Sequence, residues 1–213
     1  MSASTLFFDL DGTLVDSEAG IVGSIVHTFE QLRQPLPPPG TLRAWIGPPL
    51  RDSFQEQFDD PALVEQALAL YRQRYDVQGW REHTVFPEIG AAVAALAAAG
   101  HRFAVVTSKN ERFARRIVET LPFAAQFEEI VGASDDGQRR FKPDLIAEAL
   151  RRLSLQPAQC VMIGDRRMDI EGANHHGMRS IGVLWGFGDA AELRQAGASA
   201  LAQVPAQLPG LAA

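Results

Sequence analysis

Cysteine is all but missing from this chain. Of 213 residues only Cys160 carries a thiol, which rules out an internal disulfide framework. It stands in the apolar run C-V-M-I-G, where a small core residue is expected. Lysine is nearly as rare: the cations are eighteen arginines and only Lys109 and Lys142, so each retained ammonium raises the question of what a compact point charge does there. No apolar run approaches the roughly 18 residues that a bilayer span needs. The start M-S-A-S-T-L-F-F-D has no basic stretch before its short apolar run, so no secretory leader is expected and a cytoplasmic location is. A net charge of −6 speaks against a nucleic-acid polymer or an acidic membrane as partner. There is no G-x-x-x-x-G-K-[ST] phosphate loop. G-F-G-D-A-A at 186–191 fits G-x-G-x-x-A in form, but no strand ending in an acid follows in 192–213, so a dinucleotide site is not expected.

What is present, 46% hydrophobic and 22% charged residues, suits a well-buried core in one domain or one domain with a modest insert. Residues 88–99 read as a helix closed by Gly100, 102–107 as a buried strand, and N-E-R-F-A-R-R-I-V-E-T as a helix capped by Asn110. E-E-I-V-G, C-V-M-I-G-D and R-S-I-G-V-L-W read as further strands, separated by the helical P-D-L-I-A-E-A-L-R-R-L and a helix near 167–176; D-A-A-E-L-R-Q-A is a last helix. This βαβ rhythm predicts an α/β, Rossmann-like fold: a parallel sheet with helices on both faces. Residues 17–82 break the rhythm. They are helix-like throughout, apart from the stiff P-L-P-P-P-G, and predict a helical insert after the first strand.

The stretch S-T-L-F-F-D-L-D-G-T-L-V-D, residues 4–16, runs an apolar strand into Asp9 and Asp11. Burying either carboxylate costs several kcal/mol unless something positive compensates. Two other strands also end in polar residues: V-V-T-S-K delivers Thr107, Ser108 and Lys109, and V-M-I-G-D-R-R-M-D delivers Asp165 and Asp169. Right-handed crossovers bring the carboxyl ends of parallel strands to one sheet edge, where ligands bind, so Asp9, Asp11, Thr107, Ser108 and Asp165 are expected to converge. At an effective dielectric of about 20 each close carboxylate pair repels by roughly 4 kcal/mol, which calls for a cation. Oxygen ligands with no His or Cys nearby suit Mg²⁺ rather than Zn²⁺. Lys142 is the second candidate cation, and the hydroxyls of Thr107 or Ser108 with helix N-terminal N–H groups form an anion cradle. The substrate that needs all of this is a phosphate monoester. One carboxylate attacks phosphorus, and a second acid protonates the leaving oxygen and later activates water.

D-L-D-G-T at 9–13, T-S at 107–108, K-P at 142–143 and G-D-R-R-M-D at 164–169 resemble, in order and spacing, the four motifs of the haloacid dehalogenase-like hydrolase superfamily. The resemblance implies Asp9 as nucleophile, Asp11 as general acid/base, and Thr107 or Ser108 with Lys142 on the phosphate. It implies Mg²⁺ held by Asp9, the Asp11 carbonyl and Asp165, with Asp169 helping through water or directly. It also implies that 17–82 is a small all-helical cap over a catalytic core of 1–16 and 83–213. I-G-P-P-L-R-D-S-F at 46–54, Y-R-Q-R-Y at 71–75, D-G-Q-R at 136–139 and G-V-L-W-G-F-G at 182–188 are similar to the branch termed 5'-nucleotidase-like or phosphoglycolate-phosphatase-like, the last two favouring the former. Arg51, Lys109 and Arg139 are accordingly candidates for substrate contact, in competition with a solvated surface role. Trp45, Phe54, Tyr71 and Tyr75 are expected in the cap core, one of them free to stack on a base. His175–His176 are expected at an exposed helix end, not on a metal.

The implied activity is Mg²⁺-dependent hydrolysis of small monoesters, nucleoside monophosphates before phosphoglycolate. A phosphomutase, a haloacid dehalogenase and a non-enzymatic binding module are the alternatives. A dehalogenase would need neither Asp11 nor a metal, and a binding module favours loss of a motif acid, none of which is lost. The expected partner is a small phosphorylated metabolite, and with no exposed apolar stripe to cover, a monomer is expected.

Overall fold

The structure is a computed structural model and describes residues 4–212. The leader reading falls partly on residues 1–3, which lie outside the described residues. Along the chain run β1 (Thr5–Phe8), β2 (Val15–Asp16), α1 (Glu18–Leu32), α2 (Pro39–Ala44), α3 (Leu50–Gln57), α4 (Pro61–Val77) and β3 (Thr84–Val85). There follow α5 (Ile89–Ala98), β4 (Arg102–Asn110), α6 (Glu111–Val118), β5 (Phe127–Ala133), α7 (Lys142–Leu153) and β6 (Cys160–Gly164). The chain ends with α8 (Arg167–His175), β7 (Arg179–Val183), α9 (Ala190–Gln195), β8 (Ala200–Ala202) and α10 (Leu208–Ala212).

Six strands form one parallel sheet in the order β5-β4-β1-β6-β7-β8. The order reverses around β1: the chain builds outward through β4 and β5, then returns to β1's other side with β6. That reversal opens a crevice at the carboxyl end of β1. The period of two along each strand feeds two separate cores. Leu6, Phe8, Phe103, Val105, Val161 and Ile163 face one side, packed with Ile89, Leu96, Ala114 and Ile117 from α5 and α6. Phe7, Ala104, Val106, Cys160 and Met162 face the other, packed with Leu145, Ile146 and Ala173 from α7 and α8. Each fully buried Leu, Ile, Val, Phe or Met among them contributes about 1.5–3 kcal/mol.

The helices α1–α4 assemble a third apolar cluster from Ile25, Phe29, Trp45, Phe54, Phe58 and Tyr75, joined by Phe113 from α6. Phe29 touches the rings of Trp45, Phe54 and Phe58 at centroid distances of 6.2, 6.3 and 5.5 Å. The stiff Pro-rich segment ends where Pro39 opens α2, and Asp60 caps α4 by accepting from the Ala62 N–H. Entry to and exit from these helices are joined by the antiparallel pair β2–β3. That ribbon, β8 and α10 extend beyond what the sequence predicts. Ribbons of two residues and an A-L-A strand are too short to carry a period, and alanine has little preference for strands.

Candidate active site

The sheet register assembles the site. Phe8 stands opposite both Val105 and Ile163. Asp9 therefore extends β1 by one rung, and its N–H donates to the Ile163 carbonyl at 2.8 Å. Thr107 and Asp165 lie just beyond the same rung on the two flanking strands. Asp9, Asp11, Thr107, Lys142, Asp165 and Asp169 are all buried.

Lys142 holds three elements together. It opens α7, and its Nζ donates to Asp9 Oδ1 at 2.9 Å and to the Val106 carbonyl at 3.0 Å, with Asp169 Oδ1 at 2.6 Å. Burial pushes its ammonium down, but the Asp169 and Asp9 carboxylates outweigh burial and hold it above the ordinary lysine range. Burial pushes Asp9 up to about 6, against the pull of Lys142. Asp165 is raised well above the usual carboxylate range by burial and by the charges of Asp169 and Asp9. Its oxygens each accept one bond, from Thr13 Oγ1 at 3.2 Å and from the Phe187 N–H at 2.8 Å. Asp169 accepts from the Arg166 N–H at 3.0 Å. The turn after Asp11 needs a glycine: Gly12 has φ +84°, and a Cβ there would stand 2.2 Å from Asp165 Oδ2.

Ligand oxygens of Asp9, Asp165 and Asp169 lie within 4.8 Å of one another, the one such grouping of potential metal ligands among the described residues. The Asp11 carboxylate is outside that group. Its Oδ2 pairs with Lys109 Nζ at 2.8 Å, and its Oδ1 is buried without a hydrogen-bond partner. A metal role for Asp11 thus rests on its main-chain carbonyl. Four buried carboxyl groups face two ammonium groups, Lys142 and Lys109, so acidic groups outnumber cations by two. An oxygen-only set with that imbalance fits one hard divalent ion such as Mg²⁺.

Above Asp11 and Lys109 a cavity of about 130 Å³ opens between the sheet edge and α1–α4. Ser108 lines it, and Trp45, Tyr71, Tyr75 and Phe113 form apolar walls. Tyr71 and Tyr75 stack at 5.4 Å, and Lys109 Nζ sits 4.8 Å from the Tyr75 ring centre. Arg51 reaches this cavity while pairing with Glu65 on the neighbouring helix. Arg139 does not reach it. Its guanidinium is engaged by Glu111 at 3.1 Å, the Gly132 carbonyl at 3.3 Å and Glu148 at 3.8 Å. The next residue, Arg140, reaches the cavity instead and pairs with Asp52 of α3 at 3.3 Å. No sequence signal separates the two arginines of that doublet; the loop geometry alone decides which faces inward. The direct pairing of Lys109 with Asp11 was equally invisible in the sequence, beyond the scarcity of lysine.

This arrangement matches a known family. The sequence model of the haloacid dehalogenase-like hydrolase family covers residues 6–183, and the chain belongs to that family. Among individual proteins, it is 40% identical over 190 residues to a 5'-nucleotidase of Pseudomonas aeruginosa, covering 89% of this chain and 86% of that protein. It is also 40% identical over 189 residues to the tyrosine-protein kinase PtkA of Mycobacterium tuberculosis, covering 89% of this chain but only 65% of that protein's length. The crystal structure of a predicted phosphatase from Clostridium acetobutylicum superposes with a TM-score of 0.93 at 34% identity, over 99% of this chain and 98% of that one.

Proposed function

We propose that the chain is a phosphoric monoester hydrolase, dependent on Mg²⁺ and acting on small monoesters, with nucleoside 5'-monophosphates as the first class. The observation that carries this reading is the apolar, aromatic-walled cavity opening directly onto Asp11 and Lys109. Such walls suit a planar base, and the floor suits the ester oxygen.

In this reading an Asp9 oxygen attacks phosphorus. The Asp9 O–P bond forms while the ester P–O bond breaks, giving an aspartyl phosphate. Lys142 holds Asp9 Oδ1, so Oδ2 carries the attacking lone pair. Asp11 delivers a proton to the leaving oxygen from its unpartnered Oδ1, while Lys109 fixes the other oxygen. Asp11 then takes a proton from water, whose oxygen attacks phosphorus and frees Asp9. The Thr107 and Ser108 hydroxyls and Lys142 are the candidate donors to the phosphoryl oxygens. A divalent ion on Asp9, Asp165 and Asp169 would neutralise the charge that otherwise sets a carboxylate against a dianion. Residues 17–82 serve as the cap that closes over the ester and excludes water.

The test is release of inorganic phosphate from a panel of AMP, GMP, IMP, UMP, phosphoglycolate and sugar phosphates, with Mg²⁺ and with EDTA. Nucleotides are expected to lead, and activity is expected only with metal. Preference for phosphoglycolate would move the substrate to the second class. Metal-independent turnover of a 2-haloacid would overturn the reading. The likeness to a tyrosine kinase favours a second reading, in which the phosphoryl group passes from ATP to a tyrosine hydroxyl instead of to water. Incorporation of label from radiolabelled ATP into protein tyrosine, without phosphate release from the panel, would select it.

A further inference from the structure

The two side chains that flank the acidic cluster at Asp165 both reach out of the sheet edge to the helices above it. Arg166 follows Asp165 directly, and its own N–H holds Asp169 Oδ2 at 3.0 Å. Its side chain, only 13% exposed, spans to the turn after α2, where it donates to the Ile46 carbonyl, with the Ala44 carbonyl at 3.5 Å. Glu192 orients it from below at 2.9 Å. Phe187 donates its N–H to Asp165 Oδ2, while its ring packs against the apolar cluster of α1–α4 beneath the Arg43 guanidinium. The turn itself is built for this contact. Gly47 has φ +107°, and a Cβ there would come within 2.9 Å of Arg166 Cγ.

We infer that Arg166 is a positioning residue that reports the seating of α2 and its turn to the Asp165–Asp169 loop. When the turn is seated, the bonds to its carbonyls fix the Arg166 backbone, whose N–H in turn fixes Asp169. When it lifts, that anchor is lost and the loop loosens. The aspartates are then fully ordered only under a closed cap, so chemistry waits for a substrate that lets the cap close. The inference rests on the proposed phosphohydrolase reading for its kinetic arm only, because one readout needs no turnover.

The experiment uses the full chain and four variants: Arg166→Met, Arg166→Lys, Gly47→Ala and the double Arg166→Met/Gly47→Ala. The first readout is the rise in melting temperature on adding Mg²⁺ without substrate. The second is the split between kcat and KM on whichever panel ester turns over best. Arg166→Met is expected to lower kcat about tenfold, raise the Mg²⁺ concentration for half-maximal activity by a similar factor, and leave KM within about twofold. Its Mg²⁺-induced melting shift should be clearly smaller than that of the parent protein. Arg166→Lys, which keeps one donor, should recover part of both losses. Gly47→Ala should resemble Arg166→Met, and the double variant should be no worse than the poorer single one, as expected for two ends of one contact. Multiplying effects in the double variant, or an unchanged kcat and Mg²⁺ shift in Arg166→Met, would overturn the inference. Should Gly47→Ala fail to fold, the Met and Lys variants decide alone. A parent protein that releases no phosphate from any ester would sink the phosphohydrolase reading, while the melting shifts would still judge Arg166.

Discussion

Replacing Asp9 with asparagine separates catalysis from stability in opposite directions. Burial pushes the Asp9 carboxyl from 3.8 up to about 6, so the fold disfavours its ionised form. Below the unfolded-state value the acid is protonated in both states and costs nothing. The penalty grows as pH rises from 3.8 towards 6 and is complete above that. At 1.36 kcal/mol per pH unit, a shift of this size amounts to about 3 kcal/mol in metal-free protein near neutral pH. The Asp9→Asn substitution removes that penalty, keeps an oxygen for Lys142, and offers an amide to the neighbouring carboxylates. We expect a net gain of about 2 kcal/mol, or roughly 4–8 °C in Tm for a chain of this size. The assay is calorimetry in EDTA at about pH 7.5 and about pH 4.5, paired with phosphate release under Mg²⁺. The variant should melt higher at the upper pH, lose most of that advantage at the lower, and lose at least roughly a thousandfold in turnover. Added Mg²⁺ should stabilise the parent protein more than the variant. A variant that melts lower in EDTA at the upper pH, or that keeps a tenth of its turnover, would refute the reasoning.

Gly12→Ala combines a positive φ with a clash at 2.2 Å against Asp165, so it should cost about 2–4 kcal/mol in urea unfolding and abolish phosphate release; a stable, active variant would show that this turn tolerates displacement. Burial alone would raise Glu111, but bonds from Arg152, Arg115 and the Gly132 N–H outweigh it and hold the carboxyl at about 2. Its stabilisation is therefore complete above about pH 4.5 and is lost as pH falls towards 2. With solvent screening it amounts to about 1–2 kcal/mol. Melting curves of Glu111→Gln and the parent protein should converge on acidification, and a gap that stays constant would count against the ion-pair account. Tyr71→Leu removes half of the Tyr71–Tyr75 stack. It should raise KM for a nucleoside monophosphate about fivefold, a loss near 1 kcal/mol, and leave that for phosphoglycolate unchanged; equal effects on both would deny that the ring meets a base.

The sheet was legible because its strands are nearly continuous apolar runs, T-L-F-F and C-V-M-I-G among them, bounded by polar residues and separated by helices of clear period. The meeting of Asp9, Thr107 and Asp165 was legible for the same reason: parallel strands and right-handed crossovers leave their carboxyl ends little choice of edge. Position within the loops was not. Arg139 and Arg140 are chemically identical neighbours, and only the turn at Ser134–Gly137 settles that the first meets Glu111 and the second Asp52. The carbonyls that Arg166 binds carry no side-chain signature at all, so no pattern of residue types announces that contact.

The ribbon of β2 and β3 has a consequence for protein engineering. Val15 pairs with Val85 and Asp16 with Thr84, so the chain departs for its helical excursion and comes home at directly facing positions. A tight hairpin turn suffices to seal those ends after excision of 17–83, with every strand of the main sheet left in place. The same two sites are where a foreign helical insert would be spliced in, with the acidic edge of the main sheet kept as a reusable chassis.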